Sequence, residues 1–439
     1  MKNIISTWWF RLIASILGAW IIYIICPPCL AKEALLSILL GLLFIINFPQ
    51  WIIKFPIITH VSRALTGSLF IFSGFIKAND PLGFSYKLEE YFEVFKGDTG
   101  LALFDTFAHY SLEFAIFICA LEMILGFTLL IGYKVRLTLW LLMLQIIFFT
   151  FLTFYSACFN KVTHCGCFGD FIPLKAWQSF WKDIALLFLI TILWVSQVNI
   201  RALFVPMFAH AVSFIALIIS FVIPIYAYNH LPYFDFRPYH KGANILEKMK
   251  PGKNYQPAVY ETRFKYQNLK TGEVKEFTLK DYPWQDTLNW KWVSTENILL
   301  KEAVDAPKIT DFTIKTLNEE NVTDSLLNNL NYQFWVICYD LKKTNTDEET
   351  IAKLKDLQTL ASKDGVPVVI ITASGVDDIE MFKKKTGLNL PFLNADAIVL
   401  KTMIRSNPGI MLVKNANIIN YWHYNDLPSY SVIKEKDMK

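Results

Sequence analysis

The residues with the greatest capacity for covalent chemistry lie in Thr163-His164-Cys165-Gly166-Cys167-Phe168-Gly169-Asp170, a short polar stretch between two long apolar runs. Two of the chain's seven cysteines stand there one glycine apart, beside a histidine. A disulfide between Cys165 and Cys167 would close a very small ring, and Gly166 supplies the backbone freedom that such a ring needs. Departure from relaxed disulfide geometry stores strain and eases reduction. Strained, exposed disulfides are the labile or catalytic kind. A protonated His164 would favour the thiolate of its neighbour. The pair has three readings: a redox-active couple, structural cysteines that clip the loop or pack reduced, or metal ligands. The metal reading lacks an evident fourth ligand, and no metal is assigned.

Cys26-Pro27-Pro28-Cys29 is a second pair, with the two-residue spacing of thiol oxidoreductases, where a helix N-terminus stabilises the thiolate. Here the pair follows an apolar run, so the helix dipole at Cys26 has the opposite sign, and two prolines end a helix in any case. It reads as a relay partner of Cys165 and Cys167 or as a proline turn with incidental cysteines. Cys338, single in Cys338-Tyr339-Asp340-Leu341-Lys342, reads as core rather than as a resolving thiol. Arg63, Lys77, Glu113 and Glu122 fall within or at the edges of apolar runs, where charges are costly and are paired or functional. Lys77 and Glu113, near the ends of their runs, are expected as partners, and Arg63 is expected to snorkel. Glu122, mid-run, most needs a partner. It either makes a packing hydrogen bond or accepts a proton, because burial disfavours the charged carboxylate. Trp177, Phe180 and Trp181 read as an aromatic belt.

The elements that position these groups follow from composition. The chain of 439 residues is 54% hydrophobic and 18% charged, against about 45–50% and about 25% for globular chains. Nearly all of the excess precedes residue 230. Apolar runs at 8–26, 34–53, 60–77, 109–132, 136–158, 178–197 and 203–228 predict seven membrane helices. The first is read as retained, because no small-x-small cleavage site follows it. The links 132–136 and 197–201 are basic and free of acids, and Lys54 and Arg63 flank the start of the third run. The positive-inside rule puts these on the cytoplasmic side. Loops 27–33, 78–108 and 159–177, and everything after 229, are then outside. Loop 78–108 is net acidic, in agreement. Cys26, Cys29, Cys158, Cys165, Cys167 and Cys338 gather at the outer face, where disulfides persist in bacteria. Cys119 alone is expected within the membrane. The net charge of +4, without a Lys/Arg block, argues against nucleic-acid binding.

Beyond the proline- and aromatic-rich link 230–239 the composition is that of a soluble protein. Residues 260–266 and 274–278 alternate at period two across Lys270-Thr271-Gly272-Glu273, which predicts a hairpin. Trp284, Trp290 and Trp292 are expected to seal this small β-rich unit. From 308 the pattern is β-α-β-α-β-β: strands at 311–314, 334–339 and 366–372, helices at 346–363 and 377–385, and a hairpin across Lys414–Asn417. That order, with Pro408 before the first hairpin strand, is expected of a thioredoxin-like domain.

Several of these residues carry a family resemblance. Arg63-Ala-Leu-Thr-Gly67, Phe72-Ser-Gly74-Phe-Ile-Lys77, Glu122 with Leu125-Gly126 and Gly132, and the Cys165-Gly-Cys-Phe-Gly-Asp170 loop resemble the DoxX/MauE group of small membrane proteins. Asn79–Lys87 and His230–Tyr239, continuing to Asn244, look like the branch in which a periplasmic thioredoxin-like tail follows the bundle. The resemblance covers roughly residues 60–430. It implies a redox or maturation role: DoxX proteins are associated with thiosulfate:quinone systems, and MauE proteins with maturing a disulfide-rich periplasmic dehydrogenase. The bundle also resembles the vitamin K epoxide reductase group, which passes electrons from thiols to quinone. Within the tail, Pro408 stands where that fold carries a peptide-docking cis-proline, or simply starts a strand. The second cysteine of an active-site pair is missing.

The expected architecture is a polytopic α-helical membrane bundle followed by a soluble α/β thioredoxin-like domain. The expected units are an N-terminal extension (1–58), a DoxX/MauE-like bundle with a four-helix core (59–228), a periplasmic linker and β adaptor (229–307) and a degenerate thioredoxin-like domain (308–439). The expected function is thiol–disulfide electron transfer at the periplasmic face of the bacterial inner membrane, with Cys165 and Cys167 exchanging, His164 assisting, and a membrane quinone as acceptor. The competing expectation is a non-catalytic scaffold or maturation factor that binds envelope proteins. The partners are accordingly the lipid bilayer and a periplasmic thiol protein or envelope assembly partner.

Overall fold

The computed structural model of the chain describes residues 32–159, 161–162, 168–301 and 303–438. The run 8–26, Cys26, Cys29, His164, Cys165 and Cys167 lie outside these residues. In place of one span at 34–53 there are two helices, α1 (Lys32–Asn47) and α2 (Pro49–Ile53). Pro49, in the first turn of α2, cannot donate to the turn before it, so the helix breaks at Phe48.

Then come α3 (Pro56–Asn79), α4 (Pro81–Thr99), α5 (Leu103–His109), α6 (Ser111–Ile131), α7 (Val135–Phe159), α8 (Ala176–Val195) and α9 (Pro206–Asn229). Among the described residues, α6, α7, α8 and α9 are long and apolar enough to cross a membrane. α3 has 24 residues, carries Arg63 and Lys77, and packs along α6 and α8. Successive long helices alternate in direction. The C-terminal ends of α3, α7 and α9 thus meet the N-terminal ends of α6 and α8 at one end of the bundle, here called the domain-side end.

Close packing rests on small residues where α3 crosses α6. A Cβ on Gly126 would stand 2.6 Å from the Gly67 carbonyl oxygen, and one on Gly67 would stand 2.5 Å from Leu130. Only hydrogen at both positions lets the backbones approach this closely. Below the crossing, Phe70, Leu129, Leu139, Leu142, Ile190 and Leu193 form the bundle core.

Residues 78–108, expected as an acidic loop, are largely helical. Phe84, Leu88, Tyr91 and Phe95 recur at helical spacing and bury one face of α4 against Cys119, Met123 and Phe149, leaving the acids on the other. Asp80 caps α4 by accepting from the Gly83 amide at 2.9 Å, Pro81 opens it, and Gly100, in the left-handed region (φ 71°), ends it.

After α10 (Ile245–Met249), β1 (Val259–Asn268), β2 (Val274–Thr278) and β3 (Trp290–Lys301) form an antiparallel sheet in the order β2-β1-β3. Gly272 (φ 72°) sits in the expected turn. Trp290 packs on Phe277, ring centroids 5.0 Å apart, but Trp284 and Trp292 are exposed, so the expected tryptophan seal does not form. The C-terminal domain runs β4 (Ile314–Thr316), α11 (Thr323–Leu327), β5 (Gln333–Cys338), α12 (Glu348–Lys363), β6 (Val368–Thr372), α13 (Val376–Thr386), β7 (Phe392–Ala395), α14 (Ala397–Met403), β8 (Gly409–Lys414), β9 (Asn417–His423) and α15 (Tyr430–Asp437). Its sheet order is β4-β7-β6-β5-β8-β9, with β5, β6 and β7 parallel and the rest antiparallel. β5 is buried along its whole length, because both sheet faces are covered. The Asn407–Pro408 peptide bond leading into β8 is cis.

Candidate functional site at the domain-side end of the bundle

The intramembrane charges are paired, though not as expected. Lys77 Nζ donates to Glu122 Oε1 at 2.6 Å, and the two side chains are 3% and 2% exposed. Glu113, the expected partner, is exposed in the first turn of α6. Lys77 also donates to Ser73 Oγ at 2.9 Å and lies over the Phe149 ring at 4.6 Å. Beside the pair, Asp183 of α8 accepts from Lys182 at 2.6 Å and from Thr153 of α7 at 3.0 Å. Arg63 does not snorkel. It is buried at the far end and donates to the carbonyls of Leu129 (2.9 Å), Leu130 (2.6 Å) and Arg201 (3.2 Å), capping α6 where the helix dipole is negative.

Cys158, in the last turn of α7, is disulfide-bonded to a partner outside the described residues. Cys119 and Cys338 are free and buried. Burial pushes the Cys338 thiol up to about 12, so it is not a nucleophile near neutrality.

The C-terminal domain is seated on this end of the bundle by polar contacts. Arg405 Nε donates to both carboxylate oxygens of Asp80 at 2.9 Å, Nη1 donates to the Lys401 carbonyl, and Nη2 lies 3.8 Å from Asp170. Burial pushes the Asp80 carboxyl up, but the Arg405 guanidinium, together with Arg237 and the Gly83 amide, outweighs it and holds the group below the usual carboxylate value. A Cβ on Gly83 would meet Asp80 Oδ2 at 2.4 Å and Arg405 Nη2 at 2.8 Å, so glycine is needed for this approach. Nearby, Asp235 in the link after α9 accepts a bidentate pair from Arg237 at 2.8 Å and a hydrogen bond from Tyr421 of β9 at 2.6 Å. Asn79 donates to the Phe234 carbonyl at 2.7 Å, and His230 Nδ1 lies 2.7 Å from Asp426.

Two cavities flank this seam. One, of about 660 Å³, is lined by Lys77, Asp80, Asp170, Arg237 and Arg405. The other, of about 830 Å³, is lined by Tyr86, Tyr228, Tyr339, Asp340, Asn407 and His423, and lies outside the ends of β5 and β6. Tyr86, stacked edge-on against Tyr339 and under Lys401, stands between them. Asn407 is buried and bonds the Asp340 carbonyl and Thr344, tying the proline-bearing turn to the segment after β5.

Sequence reasoning did not single out Asp80, Tyr86, Asp183, Arg237 or Arg405. Asp183 and Lys182 carried a usable signal, since both fall inside the expected span 178–197. Asp80, Tyr86 and Arg237 fall in the segments 79–87 and 230–239 that carry the family resemblance, but Arg405 stands 325 positions from Asp80 and carried no signal.

Residues 55–196, which contain α3 through α8, match the family described as "Methylamine utilisation protein MauE". Residues 260–302, the three-stranded sheet, match a domain of unknown function, DUF8463. No curated protein and no solved structure matches the chain. With the membrane-length helices, the first match supports a membrane protein of the MauE type.

Proposed function

We propose that the chain exchanges thiols and disulfides at the domain-side end of its bundle, and that this end is the periplasmic face of a bacterial inner membrane. The observation that carries the reading is the disulfide at Cys158, at the domain-side end of α7 and just ahead of His164-Cys165-Gly166-Cys167. Disulfides persist in oxidising compartments. The match to the family described as methylamine utilisation protein MauE, which the sequence resemblance associates with maturing a disulfide-rich periplasmic dehydrogenase, agrees with an envelope maturation role.

Cys165 and Cys167 are the exchanging pair, with His164 favouring the thiolate. A partner's thiolate attacks the chain's disulfide, forming a mixed disulfide and freeing one chain sulfur. The partner's second thiolate then displaces the other, so the partner loses two electrons and two protons and the chain's pair gains them. The void beside Glu122, about 20 Å³, is too small for a quinone ring.

The C-terminal domain acts as a thioredoxin-like but non-exchanging cover. The parallel β5-β6-β7 core, the β8-β9 hairpin and Pro408 before β8 support the fold, and the buried Cys338 supports the lack of exchange. A second reading, a scaffold that binds envelope proteins, draws on the cavity of about 830 Å³ and the inert thiol.

The test is acid quenching of intact membranes, differential alkylation and mass mapping, with Cys167→Ser as a trap. Thiol exchange requires a mixed disulfide on Cys165. A single cysteine connectivity, unchanged while an added dithiol partner is oxidised and reduced, leaves the scaffold reading.

A further inference from the structure

Three features set Glu122 apart from a permanently locked ion pair. First, its charge is poorly met. A carboxylate has room for about four hydrogen bonds, yet among the described residues Oε1 accepts from Lys77 and Oε2, also buried, has no partner. Second, Lys77 does not depend on Glu122 alone. Its ammonium also donates to Ser73 and lies over the rings of Phe149 (4.6 Å) and Phe84 (5.5 Å), which hold a cation in apolar surroundings. Third, a void of about 20 Å³ is lined by Glu122, Lys77, Ser73, Asp183 and Lys182 together with apolar side chains, among them Phe70, Ile146 and Phe149. One water needs about 10–15 Å³ and two to four polar partners. Lys182, 22% exposed, carries the polar chain towards the surface.

We infer that Glu122 is a proton-exchange site, connected to the domain-side surface through one water held between it and Asp183. In uptake, that water gives a proton to Glu122 Oε2 and is reprotonated from the Asp183–Lys182 side. One O–H bond forms at Glu122 and the cluster gains one proton. Among the described residues, the charged and titratable groups facing Glu122 are Lys77 from α3, Lys182 and Asp183 from α8, and Cys119 from its own helix. α7 contributes Phe149 and Thr153. Lys77, Lys182, Glu122 and Asp183 sum to zero when all are ionised, so uptake leaves one positive charge. In a low-dielectric interior such a charge is costly. Proton uptake at Glu122 is therefore tied to the arrival of negative charge nearby, as when a thiolate forms at the domain-side end. The proton site itself does not depend on thiol exchange.

The test uses the full chain in its membrane and dicyclohexylcarbodiimide, an apolar reagent that adds to protonated carboxyls. The expected result is a mass-mapped adduct on Glu122 that declines as pH rises and is lost in Glu122→Gln. Labelling should rise in Lys77→Met, where the carboxyl has lost its counter-ion. The wild-type measurement needs no variant, so a variant that fails to fold does not remove the test. An infrared band of a protonated carboxyl in the wild-type protein, bleached by the reagent, would support the same conclusion. Glu122 left unmodified at every pH in wild-type protein overturns the inference. Labelling only in Lys77→Met overturns it too, since it shows access to a carboxyl that is otherwise a fixed ion pair. Neither outcome bears on thiol trapping.

Discussion

Arg405→Ala should release the C-terminal domain from the bundle. Arg405 is 8% exposed and grips Asp80 through both carboxylate oxygens. Removing one partner of a buried ion pair costs about 3–5 kcal/mol. Asp80 keeps its bond from the Gly83 amide and is itself 20% exposed, which lowers the figure to about 2–3 kcal/mol. That corresponds to roughly a 30- to 150-fold loss in the docking equilibrium. Hydrogen exchange across α4 and α14 reads it directly: protection at the seam falls while protection in β5 and β6 is kept. Arg405→Lys, which offers a point charge and no fork, should fall between. The acid dependence has a defined sign. Burial raises the Asp80 carboxyl, and Arg405 with Arg237 and the Gly83 amide more than offsets this, so its docked value lies below the free one. The contribution is fully present above the ordinary carboxylate range and is lost as pH falls through the docked value. Arg405→Ala should weaken that dependence, leaving the part due to Arg237 and Asp235. Unchanged seam protection in Arg405→Ala, or the same acid release as wild type, would refute the reasoning.

Gly126→Ala should force α3 and α6 apart, because the new Cβ meets the Gly67 carbonyl at 2.6 Å. A loss of about 1–3 kcal/mol is expected in thermal or denaturant unfolding of the purified protein. Cys338 should resist alkylation in the folded protein and react only on unfolding, since burial pushes its thiol up to about 12. Burial pushes His423 down to about 4, against the raising influence of Asp426. Its folded value lies below the unfolded one, so it costs nothing above about pH 6.5. It destabilises the domain increasingly from there down to about 4, by up to about 3 kcal/mol. His423→Gln should flatten that part of the stability–pH curve.

The long helices were legible because a bilayer-length apolar run leaves few alternatives, and the hairpin at Gly272 because its turn needs a left-handed residue. The helices within 78–108 were readable in principle. Phe84, Leu88, Tyr91 and Phe95 mark one face, but Glu89, Glu90 and Glu93 between them look like a solvated loop. Pro49 was read as part of a span whose hydrophobicity outweighed its missing donor. The match of Lys77 to Glu122 rather than Glu113 depends on how α3 and α6 pass each other, which is set by Gly67 and Gly126. Trp284 and Trp292 do not join Trp290 in sealing the sheet as expected, because a three-stranded sheet has too little surface to cover them.

The two ends of the bundle are fastened by different chemistry. At the far end, one guanidinium binds backbone carbonyls of Leu129, Leu130 and Arg201, acceptors that do not titrate at any physiological pH. At the domain-side end the fastenings run through Asp80 and Asp235, carboxylates held below their ordinary range that acid protonates at the cost of docking. Acid thus acts on the molecule as on a fan with a fixed rivet: the blades can spread only at the end that carries the disulfide and the soluble domain.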